Sequence, residues 1–256
     1  MAFIDFLALQ EGLLLMAAAL VGYVGAIAYL AMRRNDAAAF RSALKGAAAP
    51  IGMLGAVTTI LAVWGELVWQ YPGPYLLAYN IYFNDVYTLF GLTLVALAVS
   101  MGFSLKLQYA GLFALVAGGI TIAYGWNGWQ LGLTKEPFDT FLLFGAFGLA
   151  GILAFPVTVM TDHFAAHPDG TAFAFAWKTQ VRRSLSIQSS ARAAQPIVPM
   201  STDGKPDTSR AIRLPFRLPI WVTLSTLAFI VVMGLAAFAA LYFLDTTLPA
   251  HLATPP

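Results

Sequence analysis

The chain has 256 residues, of which 59% are hydrophobic and only 10% charged. A soluble domain carries roughly 25% charged residues, and a chain of this length cannot cover a water-facing surface with so few. The composition excludes a soluble enzyme, a disordered chain and an ordinary nucleic-acid binder, and it points to a polytopic membrane protein. The absence of cysteine excludes disulfides, thiolate metal sites and a cysteine nucleophile. The net charge of +2 is too small to argue for an acidic partner.

A helix needs about 20 consecutive apolar residues to cross a bilayer. Six stretches qualify, at about 6–32, 47–69, 82–105, 107–125, 139–160 and 219–244. The first lacks the basic start of a secretory signal. It carries Asp5 and Glu11, and its basic residues Arg33 and Arg34 follow it. It is expected to remain as a helix with the N-terminus outside. Six alternating spans then place Arg33, Arg34, Arg41 and Lys45 inside, with Lys106 in the second inner connection. Lys178, Arg182, Arg183, Arg192, Lys205, Arg210, Arg213 and Arg217 fall in the third. Of the 14 basic residues only Lys135 lies on the other side, as the positive-inside rule requires. The predicted fold is therefore an all-α, polytopic transmembrane helix bundle of six spans with both termini outside, in the plasma membrane.

Three regions follow. Residues 1–160 form a five-span bundle. Residues 161–218 form a cytoplasmic connection, first an amphipathic basic helix and then a Pro/Ser-rich linker. Residues 219–256 form a final span and short outer tail, standing apart from the rest. Pro156 is expected to kink the fifth span, and Pro72, Gly73 and Pro74 mark a turn. Small residues recur at four-residue spacing: Ala18, Gly22 and Ala26; Ala48, Gly52 and Ala56; Ala110, Ala114 and Gly118; Ala146, Ala150 and Ala154. Such stripes let helix backbones approach closely in lipid.

Polar residues at membrane depth normally face the bundle interior or a partner. Glu11, Glu66 and Asp85 are predicted at the outer end of their spans, with Gln10, Gln70, Asn80, Asn84 and Tyr87 at similar depth. They are the candidates for a polar, proton or ion site. Asp139 and Asp245 lie at the same end and are expected to face solvent. Trp64, Trp69, Tyr71, Tyr75, Tyr79, Tyr82, Trp126 and Trp129 read as an aromatic belt at the membrane boundary. At the opposite end His163 and His167 are four apart, a spacing that can hold a metal, but the text HFAAH lacks the glutamate of a zinc-protease motif. Interfacial histidines at a helix end explain the pair more simply. No P-loop, dinucleotide fingerprint or nucleophile elbow is present, and the sequence leaves any cofactor unknown.

The stretch PGPYLLAYNIYFNDVYTLFGLTLVALAVSM, with Tyr79, Asn80, Ile81, Asp85, Phe90 and Gly91, resembles the DUF981 family of archaeal and bacterial membrane proteins. Val86 stands where a proline is expected after the aspartate. The resemblance implies an integral membrane bundle with a short polar patch between spans two and three, and gives Asn80, Asn84 and Asp85 a role beyond solvation. Asn80 and Asn84 could cap a helix or line a site.

Three functional expectations result. The first is an accessory or structural subunit of a larger membrane complex, with a redox or oxygenase assembly as the candidate setting and other membrane subunits as partners beside the lipid bilayer. It rests on the missing catalytic motifs, the small-residue faces and a last helix placed to grip a neighbour. The second is a small proton- or cation-coupled transporter using the outer carboxylates. The third is a membrane metalloenzyme, which needs at least three ligands together.

Overall fold

The computed structural model describes residues 6–34, 36–68, 76–166 and 220–253. Trp69, Gln70, Tyr71, the YPGPY turn with Tyr75, the side chain of Tyr79, His167 and the connection from residue 167 to 219 lie outside the described residues.

Six helices make up the described chain: α1 (Phe6–Arg33), α2 (Ala37–Val68), α3 (Leu76–Gly102), α4 (Leu107–Gln130), α5 (Pro137–Ala166) and α6 (Ile220–Ala253). Each contains a stretch long and apolar enough to cross a membrane. The fold is an all-α transmembrane bundle of six spans.

The largest departure from the expected spans is the start of α2, which begins at Ala37 and not near residue 47. Asp36 is the reason. Its Oδ1 accepts hydrogen bonds from the amides of Ala38 (3.1 Å) and Ala39 (2.9 Å), satisfying two donors that a helix start leaves open. The Ala-rich segment that follows costs little to hold helical. Arg41 and Lys45 therefore ride on the first turns of α2. The helix α5 runs through Pro156 as one element.

Turn chemistry fixes two other ends. After α3, Leu105 N–H donates to Ser100 C=O (2.8 Å) and Ser104 takes a left-handed φ of 55°. After α4, Leu133 N–H donates to Gly128 C=O (3.0 Å), with Gly132 at φ 61°. Both are Schellman caps. Glycine adopts that backbone freely and serine does not. The start of α4 is capped from another helix: both carboxylate oxygens of Asp162 on α5 accept backbone N–H groups, those of Leu107 and Gln108, each at 2.8 Å.

The helices pair through small residues. A Cβ on Gly55 would lie 2.8 Å from Gly91 C=O, and one on Gly52 would lie 3.1 Å from Ala98 Cβ, so α2 and α3 run antiparallel with backbones nearly touching. Gly118 of α4 faces Gly148 and Gly151 of α5, and Gly125 faces Phe144. Gly22 and Gly25 of α1 meet Met233 and Phe229 of α6. The stripes containing Gly22, Gly52 and Gly118 are thus used inside this bundle. On α5 the close approach to α4 is made by Gly148 and Gly151, which the expected stripe of Ala146, Ala150 and Ala154 misses.

Each helix packs on the next in the chain, and α6 packs on both α5 and α1. The six helices form a closed ring. This corrects the expectation that the last span stands apart to grip a neighbour: Phe229, Met233, Ala236 and Ala240 of α6 are buried in the main apolar cluster of the bundle itself. A helix of such hydrophobic character gains van der Waals contact by closing the ring.

The ring surrounds a partly open cavity of about 150 Å³ lined by residues of all six helices. In a water-soluble core an unfilled void of that size costs on the order of 3–4 kcal/mol. One end of the bundle carries Glu11, Glu66, Asp85 and Asp139 and is called the acidic end below. The other carries Arg33, Arg34, Arg41, Lys45 and Lys106 and is the basic end.

Candidate functional site

The polar side chains at the acidic end come from four helices. On α1, Gln10 and Glu11 are 1% and 2% exposed, so Glu11 is inside the protein and does not reach for solvent. On α3, Asn80 and Asn84 stand one turn apart on the same inward face, each 1% exposed. Gln10 Nε2 donates to Asn84 Oδ1 at 3.0 Å, and Asn84 Nδ2 points to Asn80 Oδ1 at 3.5 Å. Both asparagines lie within α3, so neither caps it. The Asn84 amide instead ties α3 to α1.

Gly65 on α2 makes room for this pair. A Cβ there would lie 2.7 Å from Asn84 Nδ2 and 2.8 Å from its Oδ1. A buried amide without partners costs several kcal/mol in an apolar setting, so the missing side chain at 65 and the amide at 84 belong together.

Asp85 follows Asn84 and so points about 100° round the helix, toward α4. There Tyr124 O–H donates to Asp85 Oδ2 at 2.7 Å, the short distance of a hydrogen bond to a carboxylate. Glu66, next to Gly65, lies within electrostatic reach of both Asp85 and Tyr124. Its Oε1 is buried and has no hydrogen-bond partner among the described residues. Two turns along α2, the Thr58 hydroxyl is buried in the same condition.

The arrangement has two joined parts. Gln10, Asn84 and Asn80 form an amide chain between α1 and α3. Glu66, Asp85 and Tyr124 form a carboxyl–phenol group across α2, α3 and α4. Adjacent residues 84 and 85 link them. The first part can bind hydrogen-bonding groups; the second can take a proton or a cation.

Of the sequence candidates, Asn80 and Asn84 meet directly, Asp85 and Glu66 share one neighbourhood, and Glu11 lies buried beside Gln10 on α1. His163 sits on α5 at the basic end, far along the bundle from them. Its proposed companion His167 is outside the described residues. Among the described residues no three His, Asp or Glu side chains gather closely enough to hold a metal. Asp245 is exposed and Asp139 half-buried in the first turn of α5.

Sequence reasoning missed Tyr124, Gly65 and Asp162. Tyr124 lies in a segment whose neighbours Trp126 and Trp129 do cluster with Phe138 and Phe141 at the acidic end, Trp129 stacking on Phe141 at 5.3 Å. Tyr82, read as part of the belt, is 4% exposed and sits over Gly128 in the core.

No curated protein and no solved structure matches the chain. The model of the family described as "Protein of unknown function (DUF981)" matches residues 1–178, which includes α1 to α5 and every residue of the acidic-end group. The chain belongs to the DUF981 family.

Proposed function

We propose that this chain is an accessory, structural subunit of a larger membrane assembly. The observation that supports this reading is the use to which the polar groups are put. Gln10, Asn84, Asn80, Asp85 and Tyr124 form hydrogen bonds across three helices, fastening one end of a bundle whose remaining lining is mostly apolar. A face of α2 made of Met53, Val57, Ile60, Trp64 and Leu67 is exposed along its whole length and offers a surface to lipid or to a neighbouring subunit. The test is solubilisation of the untagged chain from its native membrane in mild detergent, with a photo-crosslinking residue at Ile60. A particle well above 27.5 kDa with a second polypeptide in fixed ratio, and a discrete crosslink to it, is expected. A lone monomer crosslinking only to lipid would overturn the reading.

One observation favours a second reading, a proton- or cation-coupled transporter. Glu66 Oε1 is buried beside Asp85 with no hydrogen-bond partner among the described residues, and a carboxyl so placed is suited to exchanging a proton or holding a cation. In proteoliposomes, Glu66→Gln should then abolish a flux reported by an entrapped pH dye or cation dye. A flux equal to wild type removes this role.

A further inference from the structure

We infer that the lumen of the ring is a binding site for one hydrocarbon chain of an amphiphile, with the polar head at the acidic end. The inference rests on the cavity and stands independently of the subunit and transporter readings.

The lumen is long and narrow. On α1 its lining runs from Leu14 to Met32, a rise of about 27 Å, close to the thickness of a bilayer's hydrocarbon core. Its volume is about 150 Å³, room for part of a single thin chain and not for a folded body.

The lining is apolar where it counts. Six hydroxyl-bearing residues line it, Tyr87 and Thr226 among them, and those of Thr93, Thr121, Thr158 and Thr161 each donate to a carbonyl of their own helix, at 2.7 to 2.9 Å. A water molecule needs two to four polar partners, and those hydroxyls are already engaged. Protein interiors do not retain elongated voids of this size, and helices in lipid associate mainly through packing. A hydrocarbon chain, which the surrounding bilayer supplies, fills such a space and restores those contacts.

The two ends differ, and the difference orients the ligand. At the basic end Met32 lines the lumen and packs with Phe40 and Phe164, all 1% exposed or less, the two rings edge to face at 5.0 Å. That end is stoppered by apolar bulk. At the acidic end the lining residues Leu14, Val86 and Thr121 are followed within one turn by Glu11, Asp85 and Tyr124. A chain entering with its head last would leave a hydroxyl, carbonyl or carboxyl among amide and carboxyl side chains.

The chain could be acyl or isoprenoid; both share this chemistry. The test uses the full-length protein in detergent, titrated with palmitic acid and with farnesol and read by native mass spectrometry. We expect one copy of a probe per protein and mutual displacement where both bind; tighter binding of one assigns the chain as acyl or isoprenoid. Leu94→Trp, which fills the lumen, should weaken binding at least tenfold. Ile60→Phe, on the outward face of α2, should leave it unchanged. Should Leu94→Trp fail to fold, Leu97→Phe serves in its place, and the displacement measurement on the wild-type chain needs no variant. No adduct with either probe, several copies binding without competition, or equal binding by the lumen-filled and outward-face variants would each overturn the inference.

Discussion

Gln10 and Asn84, 74 positions apart in the chain, share a 3.0 Å hydrogen bond inside the bundle, each almost wholly removed from solvent. That bond joins the first helix to the third across the start of the ring. Gln10→Leu should destabilise the detergent-solubilised protein by about 0.5–1.5 kcal/mol. The Gln10→Leu/Asn84→Leu double variant should lose less than the sum of the singles. Strict additivity in thermal unfolding would show that the two side chains do not interact.

Neighbouring glycines on α4 should respond in opposite ways. A Cβ on Gly118 would press into Gly148 C=O, while one on Gly119 meets nothing within 4 Å. Gly118→Ala is expected to cost about 1–3 kcal/mol by forcing α4 and α5 apart. Gly119→Ala should be neutral or stabilising by up to about 1 kcal/mol, because alanine favours the helix. Equal melting temperatures for the two variants would contradict the close approach of these helices.

Removing the carboxylate that caps α4 should loosen that helix start. Asp162→Ala frees the Leu107 and Gln108 amides, and a cap of this kind contributes about 1–2 kcal/mol. Hydrogen exchange should accelerate at residues 107–110 and leave the middle of α4 protected. Unchanged exchange there would mean the cap is not formed.

The serine held at φ 55° offers a gain. Ser104→Gly should raise stability by about 1 kcal/mol, since the left-handed cap costs glycine nothing. A lower melting temperature would mean that the serine side chain contributes more than its backbone strain.

Orientation is directly testable because the chain has no cysteine. Cysteine placed at Arg34 or Lys106 should react with an impermeant maleimide only from the cytoplasmic side, and cysteine at Leu131 only from the opposite side. Labelling of position 34 from outside would invert the topology.

The spans and their order were legible because apolar length is a local property. So was the position of Asn80, Asn84 and Asp85 along α3, since a polar residue within an apolar run stands out. Rotational phase was not. Glu11 could as well have faced water, and only the packed bundle shows that Gln10 and Glu11 are both interior. Tyr124 carries no mark that separates it from the neighbouring belt aromatics until Asp85 is seen opposite it. The partner of Gly22 is Met233, beyond a long connection, and hydropathy contains no information about which apolar helices choose each other. That is why the last span looked detachable when it is a member of the ring. The α2 start was misplaced because charge was read as connection, although Arg41 and Lys45 sit comfortably on a helix whose long side chains extend to water.

The pairing of α1 with α6 has a consequence for biogenesis. Of the six helices, α1 leaves the ribosome first and must sit in the membrane with one flank uncovered until α6 has been synthesised and inserted. Chains halted before residue 220 would expose Gly22 and Gly25 as an open seam, available to quality-control proteases or to insertion chaperones. Insertion of α6 is therefore also the moment at which the barrel of helices shuts.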